Sequence, residues 1–477
     1  MRYLKVIFLF LFILKPGFGI CQKVGFTDAA QFGFSPTATG IQNSEALQKA
    51  INLGGTIIVS KPGVYKFAQT VYVGSHTTIE FGNNVFIKKV NEKGNFSHVF
   101  LNKGALTKTY NEHISIKGLN LMVNGIDKPF SEVYGLRGQV AFFYVKDVNI
   151  ERFRCDDLTK MQFGIHVCTF EDLIIDDVII RGEKDGIHLG RGKRFTIRNG
   201  VFQTFDDAIA LNAHDYATSN PELGWIENGV IENCHDLNAE NTTGYFCRIL
   251  AGAWIDWQEG MEVQQSDAVV ANGRIYRVQA QPDGTKYVSK TKPTHKEGSQ
   301  IIDGINWGVV QTDVTYTAGV RNVVFNNIFL EKPRIGLSIH FDNDKYSRSY
   351  YPNATIPLQE QLSFNNIRIL HNQDIPFLLI ATPVDLITIS NSSFRNNHIQ
   401  FISNKAMVNY LKTNINIYAC SFQKEGEFEL LKNDVDGKEI YLKTFGNIAL
   451  HENFKAKINP GKGLINIQSD LTGLKKD

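Results

Sequence analysis

One pattern constrains this chain more than any other: a five-residue run of acid, small residue, aliphatic, variable residue, aliphatic. It stands at Asp185-Gly186-Ile187-His188-Leu189 and again, 22 residues on, at Asp207-Ala208-Ile209-Ala210-Leu211. Gly164-Ile165-His166-Val167 carries it without the acid, and Glu259-Gly260-Met261-Glu262-Val263 carries it whole. Aliphatics that alternate with other residues make a strand with one face in a core. Such strands, recurring every ~20–30 residues with no helical period between them, are the mark of a stacked solenoid.

Comparable runs begin near His113, Asp147, Asp172, Arg194 and Gly224, and resume near Arg321, Leu362, Leu386 and Asn414. Several contain Asn199-Gly200, Asn228-Gly229 or Asn326-Asn327. Asn and Gly adopt left-handed backbone angles at little cost, so the chain can turn there. The expected fold is all-β, a single-stranded right-handed parallel β-helix over residues 22–470. A short helix, Glu45–Ile51, is expected ahead of it, capped by Asn43 or Ser44, with Gly54-Gly55 beyond its end. Such a helix hides the first open sheet edges. Long loops are expected near 213–223, 236–257, 279–299 and 342–357, and loops on a rigid stack are usual carriers of binding residues.

The 477 residues carry 50 basic and 48 acidic side chains, a net charge of +2. That balance, with no basic run interleaved with aromatics, argues against nucleic acid as a partner. No stretch reaches 18 apolar residues, so no membrane span is expected. Residues 1–19 read as a signal peptide: Arg2 and Lys5 precede the apolar run Val6–Leu14, with small residues near Gly19. The mature chain is then secreted or periplasmic. Cys21 follows the cleavage region, but bulky Ile20 fits a lipid-anchor site poorly. Export permits disulfides. Cys155–Cys168 and Cys234–Cys247 are the pairings considered, although five widely spaced cysteines fit small buried hydrophobes better. No spacing matches a zinc site, and Gly190-Arg191-Gly192-Lys193 lacks the remainder of a phosphate loop.

If the register holds, Asp185, Asp207 and Glu259 rise in one column with Asp206 beside it. Glycoside hydrolysis needs one protonated and one ionised carboxyl group flanking the anomeric carbon. Crowded aspartates raise one another's pKa, which keeps one protonated. The plainer alternative is that Asp206-Asp207 caps a turn and Asp185 binds backbone amides. His188 and Glu262 are expected to flank the acids, with His166 below. His214-Asp215 are candidates to line a cleft, and Arg248 and Arg274 to bind a carboxylate or sulfate. Trp254 and Trp257 offer sugar-stacking faces or buried loop anchors.

The Gly54-Gly55-Thr56 strand and the Pro62-Gly63-Val64-Tyr65 turn resemble the start of exported pectin-degrading β-helix proteins, of the pectate-lyase superfamily type. The trio Asp185, Asp206 and Asp207 resembles that of the polygalacturonase family (glycoside hydrolase family 28). That resemblance implies an inverting hydrolase of an acidic polysaccharide, with Asp206 as general acid and Asp185 and Asp207 activating water. The candidate substrate-binding residues, read from their positions around the trio, are His188, His214, Arg248, Trp257, Glu259, Glu262 and Arg274. Neither a cofactor nor a metal is implied, and a monomer is expected. The chain departs from the family in having Glu183-Lys184 where Asn-Thr stands before the first aspartate. The family's Gly-His-Gly is absent, and Arg274-Ile275-Tyr276 keeps two residues of Arg-Ile-Lys. Two alternatives stay open: a calcium-dependent polysaccharide lyase, with the aspartates as ligands and Arg248 or Arg274 as base, and a non-catalytic carbohydrate-binding coil.

Overall fold

The computed structural model describes residues 25–129, 132–239, 242–281, 284–403 and 411–471, and the backbone of 475–476. The expected signal peptide and Cys21 lie outside the described residues. No helix among the described residues is long and apolar enough to cross a membrane.

The chain is a right-handed parallel β-helix in which each coil adds its strands directly to those of the coil before. Alternation sets which residues face in. Along one sheet Ile175, Ile197, Ile231, Phe325, Phe364, Ile389 and Ile417 pair in a single row. All are buried, and Phe325 stacks on Phe364 with centroids 5.1 Å apart. In the neighbouring row Gly229 lies between Phe195 and Val323. A Cβ at Gly229 would stand 2.0 Å from the Phe195 ring, so the ring takes the room that glycine leaves.

Left-handed residues turn each coil without interrupting its ladder. Asn199, Asn233, Asn327 and Asn366 all have φ between 53° and 56°. Each side-chain amide donates to the Asn of the coil before, Asn233 to Asn199, Asn327 to Asn233 and Asn366 to Asn327, at 3.3, 2.8 and 2.9 Å. Asn228 and Asn322 form a second such pair at 3.1 Å.

An outward row runs beside these. Glu112, Lys146, Glu171, Lys193, Glu227, Arg321 and Glu360 pair in succession, so charge alternates at each step. Lys146 and Lys193 approach Glu171 at 3.7 and 3.5 Å, and Arg321 approaches Glu227 at 2.8 Å. Half-exposed pairs like these add little stability each, yet like charges directly opposite would oppose the register.

The capping helix is longer than expected, Gly40–Ile51. Thr39 caps it in a reciprocal box with Gln42. Asn43 and Ser44 lie inside: Asn43 bonds both ways to the Ser35 backbone, and Ser44 donates to the Gly40 carbonyl. The cysteines Cys155, Cys168, Cys234, Cys247 and Cys420 are buried and free, so neither considered disulfide forms.

The loop boundaries also differ. Cys247–Leu250, expected inside a loop, is a coil strand paired with Ile209–Asn212 below and Leu337–His340 above. A single insertion, residues 251–319, then leaves the stack. Its main sheet is antiparallel apart from the parallel pair of Ile255–Asp256 with Ala268–Ala271, and continues through Arg274–Val278, Ile305–Gln311 and Ser299–Ile302. Val263, Val269, Tyr276, Val278, Ile305 and Trp307 give the insertion its own core.

Candidate active site

Two coils bring the acids together. Ile187–Leu189 pairs with Ile209–Asn212, so the residues ahead of each strand stack as well. The Gly186 N–H donates to the Asp207 carbonyl at 2.9 Å, and the Ala208 N–H to the Tyr245 carbonyl at 2.9 Å. Asp207 therefore lies one step above Asp185, and the next step is Tyr245, not Glu259. Asp206, alongside, completes a cluster in which one carboxylate oxygen from each acid lies within 4.8 Å of the other two.

The three acids sit in different surroundings. Asp185 and Asp207 are buried, whereas the Asp206 side chain is 26% exposed. Asp206 is thus the member that a ligand reaches most directly. Lys184, one residue before Asp185, ion-pairs with Asp206 and lies 3.9 Å from Asp185. His188 Nδ1 is 2.9 Å from Asp185, and its ring stacks on Phe163 at 4.2 Å. Arg248 Nε lies 3.1 Å from Asp207, and its other arm 3.1 Å from Asp215. The Tyr245 N–H donates to Asp207 at 2.8 Å. Asp215 also accepts from Asn212 at 2.8 Å and lies 3.4 Å from His188 Nε2.

These surroundings push the carboxyl groups apart. Burial raises the Asp206 carboxyl above its ordinary value, the neighbouring Asp185 charge adds to this, and Lys184 and Arg248 only partly oppose it. Burial raises Asp207 further still, against the pull of Arg248. Burial acts on Asp185 too, but Lys184, the His188 hydrogen bond and Arg248 outweigh it and hold Asp185 low. The surroundings therefore favour the protonated form at Asp206 and Asp207 and the ionised form at Asp185, the division of roles that acid–base chemistry uses.

The other candidate residues divide. His188 and Arg248 both meet the acids: His188 is fully enclosed, Arg248 keeps 16% side-chain exposure, and in their column His166, His188, Ala210, Arg248 and Ser338 follow one another. His166 accepts the Arg137 N–H at 3.0 Å. His214 is buried 6.1 Å from the Trp254 ring, and its neighbour Asp215 supplies the contact with the network. Trp254 is a buried anchor.

Trp257, Glu259, Glu262 and Arg274 belong to the insertion, and among the described residues none bonds to the trio. Met261–Val263, which carries Glu262, pairs antiparallel with Tyr287–Ser289 outside the stack. Glu262 instead pairs with Lys286 at 2.9 Å, Trp257 donates to Ser289 at 2.8 Å, and Arg274 donates to the Asn272 carbonyl at 3.0 Å. Glu259 is exposed beside Tyr351 in a surface hollow. Asp215, expected at the cleft with His214, does join the network; Lys184, Tyr245 and Phe163 are the members that sequence reasoning left out. Lys184 stood next to the first aspartate, but spacing gives no sign of where a lysine tip reaches.

No protein-family model matches the chain, and no curated protein sequence matches it. Among solved structures it is similar to a GH87 α-1,3-glucanase catalytic unit from Streptomyces thermodiastaticus, at 12% identity and a TM-score of 0.47, covering 95% of this chain and 69% of that one. It is also similar to PfbA, a surface adhesin of Streptococcus pneumoniae, at 13% identity and a TM-score of 0.45 over 95% and 93% of the two chains. An exopolygalacturonase from Thermotoga maritima matches at 12% identity and a TM-score of 0.43 over 93% and 92%. At this level of similarity the matches carry no argument about what the site does.

Proposed function

We propose that the protein is an exported glycoside hydrolase acting on an acidic polysaccharide, with Asp206 as general acid and Asp185 as the ionised partner. The observation that carries this reading is the trio itself: three carboxyl groups from two stacked coils, one partly open and raised, one buried and held low. Asp206 would donate its proton to the leaving glycosidic oxygen. Asp185, oriented by His188, would accept a proton from water as its oxygen bonds to the anomeric carbon. Asp207, held by Arg248 and the Tyr245 N–H, would help hold the water, while burial and the Asp185 charge keep Asp206 raised.

The inverting course rests on the likeness to polygalacturonases. Carboxyl groups stand about 6.5–9.5 Å apart in inverting sites and about 5–5.5 Å apart in retaining ones. Closest oxygens within 4.8 Å do not measure that separation. The anomer first released, read by proton NMR, decides it.

Calcium fits the trio less well. The Lys184 ammonium already pairs with Asp206 and sits near Asp185, and the Arg248 guanidinium pairs with Asp207. A cation would have to displace both. Arg248 also makes a poor lyase base, because Asp215 and Asp207 raise its pKa well above the ordinary value despite burial. The test is product analysis against acidic and neutral polysaccharides, with Asp206→Asn alongside and calcium varied. New reducing ends without ultraviolet absorbance, lost in the variant and indifferent to chelator, are expected. Unsaturated, calcium-dependent products would replace this reading with the lyase; no product from any polymer would leave the binding coil.

A further inference from the structure

A second site lies where the insertion packs against the coils. There a cavity of about 510 Å³ opens between the turn at Tyr134, the coil strand that carries Phe143, the loop at Asn220-Pro221, and the insertion residues Arg277, Gln279 and Val309. The volume falls within the range usual for small-molecule sites, about 300–1,000 Å³.

Two cations line it. Lys108 is already matched, 3.1 Å from Glu222. Arg277 is not. It is 1% exposed, and among the described residues no carboxylate lies within ion-pair distance. Its Nη1 donates to the Asn220 carbonyl at 2.9 Å and its Nε to the Ser266 carbonyl at 3.4 Å, while Nη2 is buried without a hydrogen-bond partner. Burial lowers the Arg277 pKa to about 10, against the opposing pull of Asp215, so the side chain stays charged at neutral pH. A buried charge with no anion against it is strongly disfavoured, and a ligand carboxylate at Arg277 would relieve that cost. The wall around it suits a sugar: the exposed aromatic face of Tyr134, amides at Gln279 and Asn306, and a buried Gln279 Oε1 with no partner.

We propose that this cavity binds a hexuronate, whose carboxylate pairs with Arg277 while its ring lies against Tyr134. The site is separate from the acid trio and does not depend on the hydrolase reading. The loop between them faces both ways: Asp215 meets Arg248 at the trio, while Asn220 lines the cavity. The carboxylate could belong to a free sugar acid or to the end of a uronate chain.

Calorimetric titration of the Asp206→Asn protein, which removes turnover from the experiment, tests this. The ligands are galacturonate, glucuronate and digalacturonate, with galactose as the neutral control. A uronate is expected to bind at least about tenfold more tightly than galactose, and Arg277→Gln to lose at least about tenfold in uronate affinity, as fits loss of a charge-assisted bond. Val309→Phe, which fills the cavity and leaves Arg277 in place, should weaken binding likewise and serves if Arg277→Gln does not fold. Tighter binding of digalacturonate would assign the site to a chain end, and tighter binding of the monosaccharides to free sugar acids. Absence of uronate binding, equal affinity for galactose, or uronate binding unchanged in either folded variant would overturn the proposal.

Discussion

Arg248 is the counter-charge for two buried carboxylates at once, and its removal gives a quantitative test of how the site is held. In Arg248→Met the length of the side chain is kept and the guanidinium is lost, leaving Asp207 and Asp215 (2% and 1% side-chain exposure) without their main cationic partner. Breaking a buried pair from one side costs about 3–5 kcal/mol. Unfolding entropy runs near 2.1 cal/mol/K per residue, so about 450 residues melting together shift by roughly 1 °C per kcal/mol. The variant should therefore melt about 3–5 °C lower at pH 7.5, and by more if the coils melt in smaller units. The sign of the pH effect follows from the carboxyls. Burial already raises Asp207, and Arg248 is the chief opposing influence on both Asp207 and Asp215. Without it both folded pKa values rise above the unfolded value of about 3.9, so the penalty grows as pH climbs past 4 and fades toward pH 4. Melting curves of parent and variant at pH 4.5 and 7.5 read this directly. A deficit equal at the two pH values, or below about 1 °C at pH 7.5, would refute the idea that the guanidinium neutralises a buried acid pair.

Asp206→Asn should lower turnover on the order of 10²–10⁴-fold, the usual worth of a positioned general acid, with the melting temperature little changed. Lys184→Met removes a charge that holds Asp206 down, so the basic limb of the pH–kcat/KM profile should move to higher pH; a move to lower pH would count against Asp206 as the acid. Burial pushes Asp342 up to about 7, against the pull of Arg248, so its ionisation costs stability progressively between pH 4 and 7; Asp342→Asn should melt above the parent at pH 8 and level with it at pH 4. Phe364→Ala, in the stacked core row, should cost about 3–5 kcal/mol in chemical denaturation without altering the trio.

The stack was legible because its two determinants are local. Alternating aliphatics declare a buried face, and Asn or Gly at the corners supplies the left-handed angles seen at Asn199, Asn228 and Asn327. The stacking of Asp185 and Asp207 followed from the same spacing. The insertion was misread because five residues carry no strand direction. Glu259-Gly260-Met261-Glu262-Val263 has the coil pattern yet runs in an antiparallel pair. The true next rung, Tyr245-Phe246-Cys247-Arg248-Ile249, lacks the acid and the small residue and so escaped notice. The helix start was missed for a similar reason. Asn43 and Ser44 are good caps in isolation, but the reciprocal pair Thr39 and Gln42 takes the role, and the two polar residues turn inward. Asp215 reaches the site from a loop with no repeat, where spacing says nothing about direction.

The alternating row from Glu112 to Glu360 restricts how a chain of this kind can change length. Loss of the single coil that carries Lys193 would set Glu171 directly against Glu227, and duplication of it would set lysine against lysine. Removal or duplication of two adjacent coils keeps every neighbour opposite in sign. Growth and shortening of this solenoid through that region should therefore proceed in even steps, with the two-coil unit, rather than the single coil, as the quantum of insertion for evolution and for engineering alike.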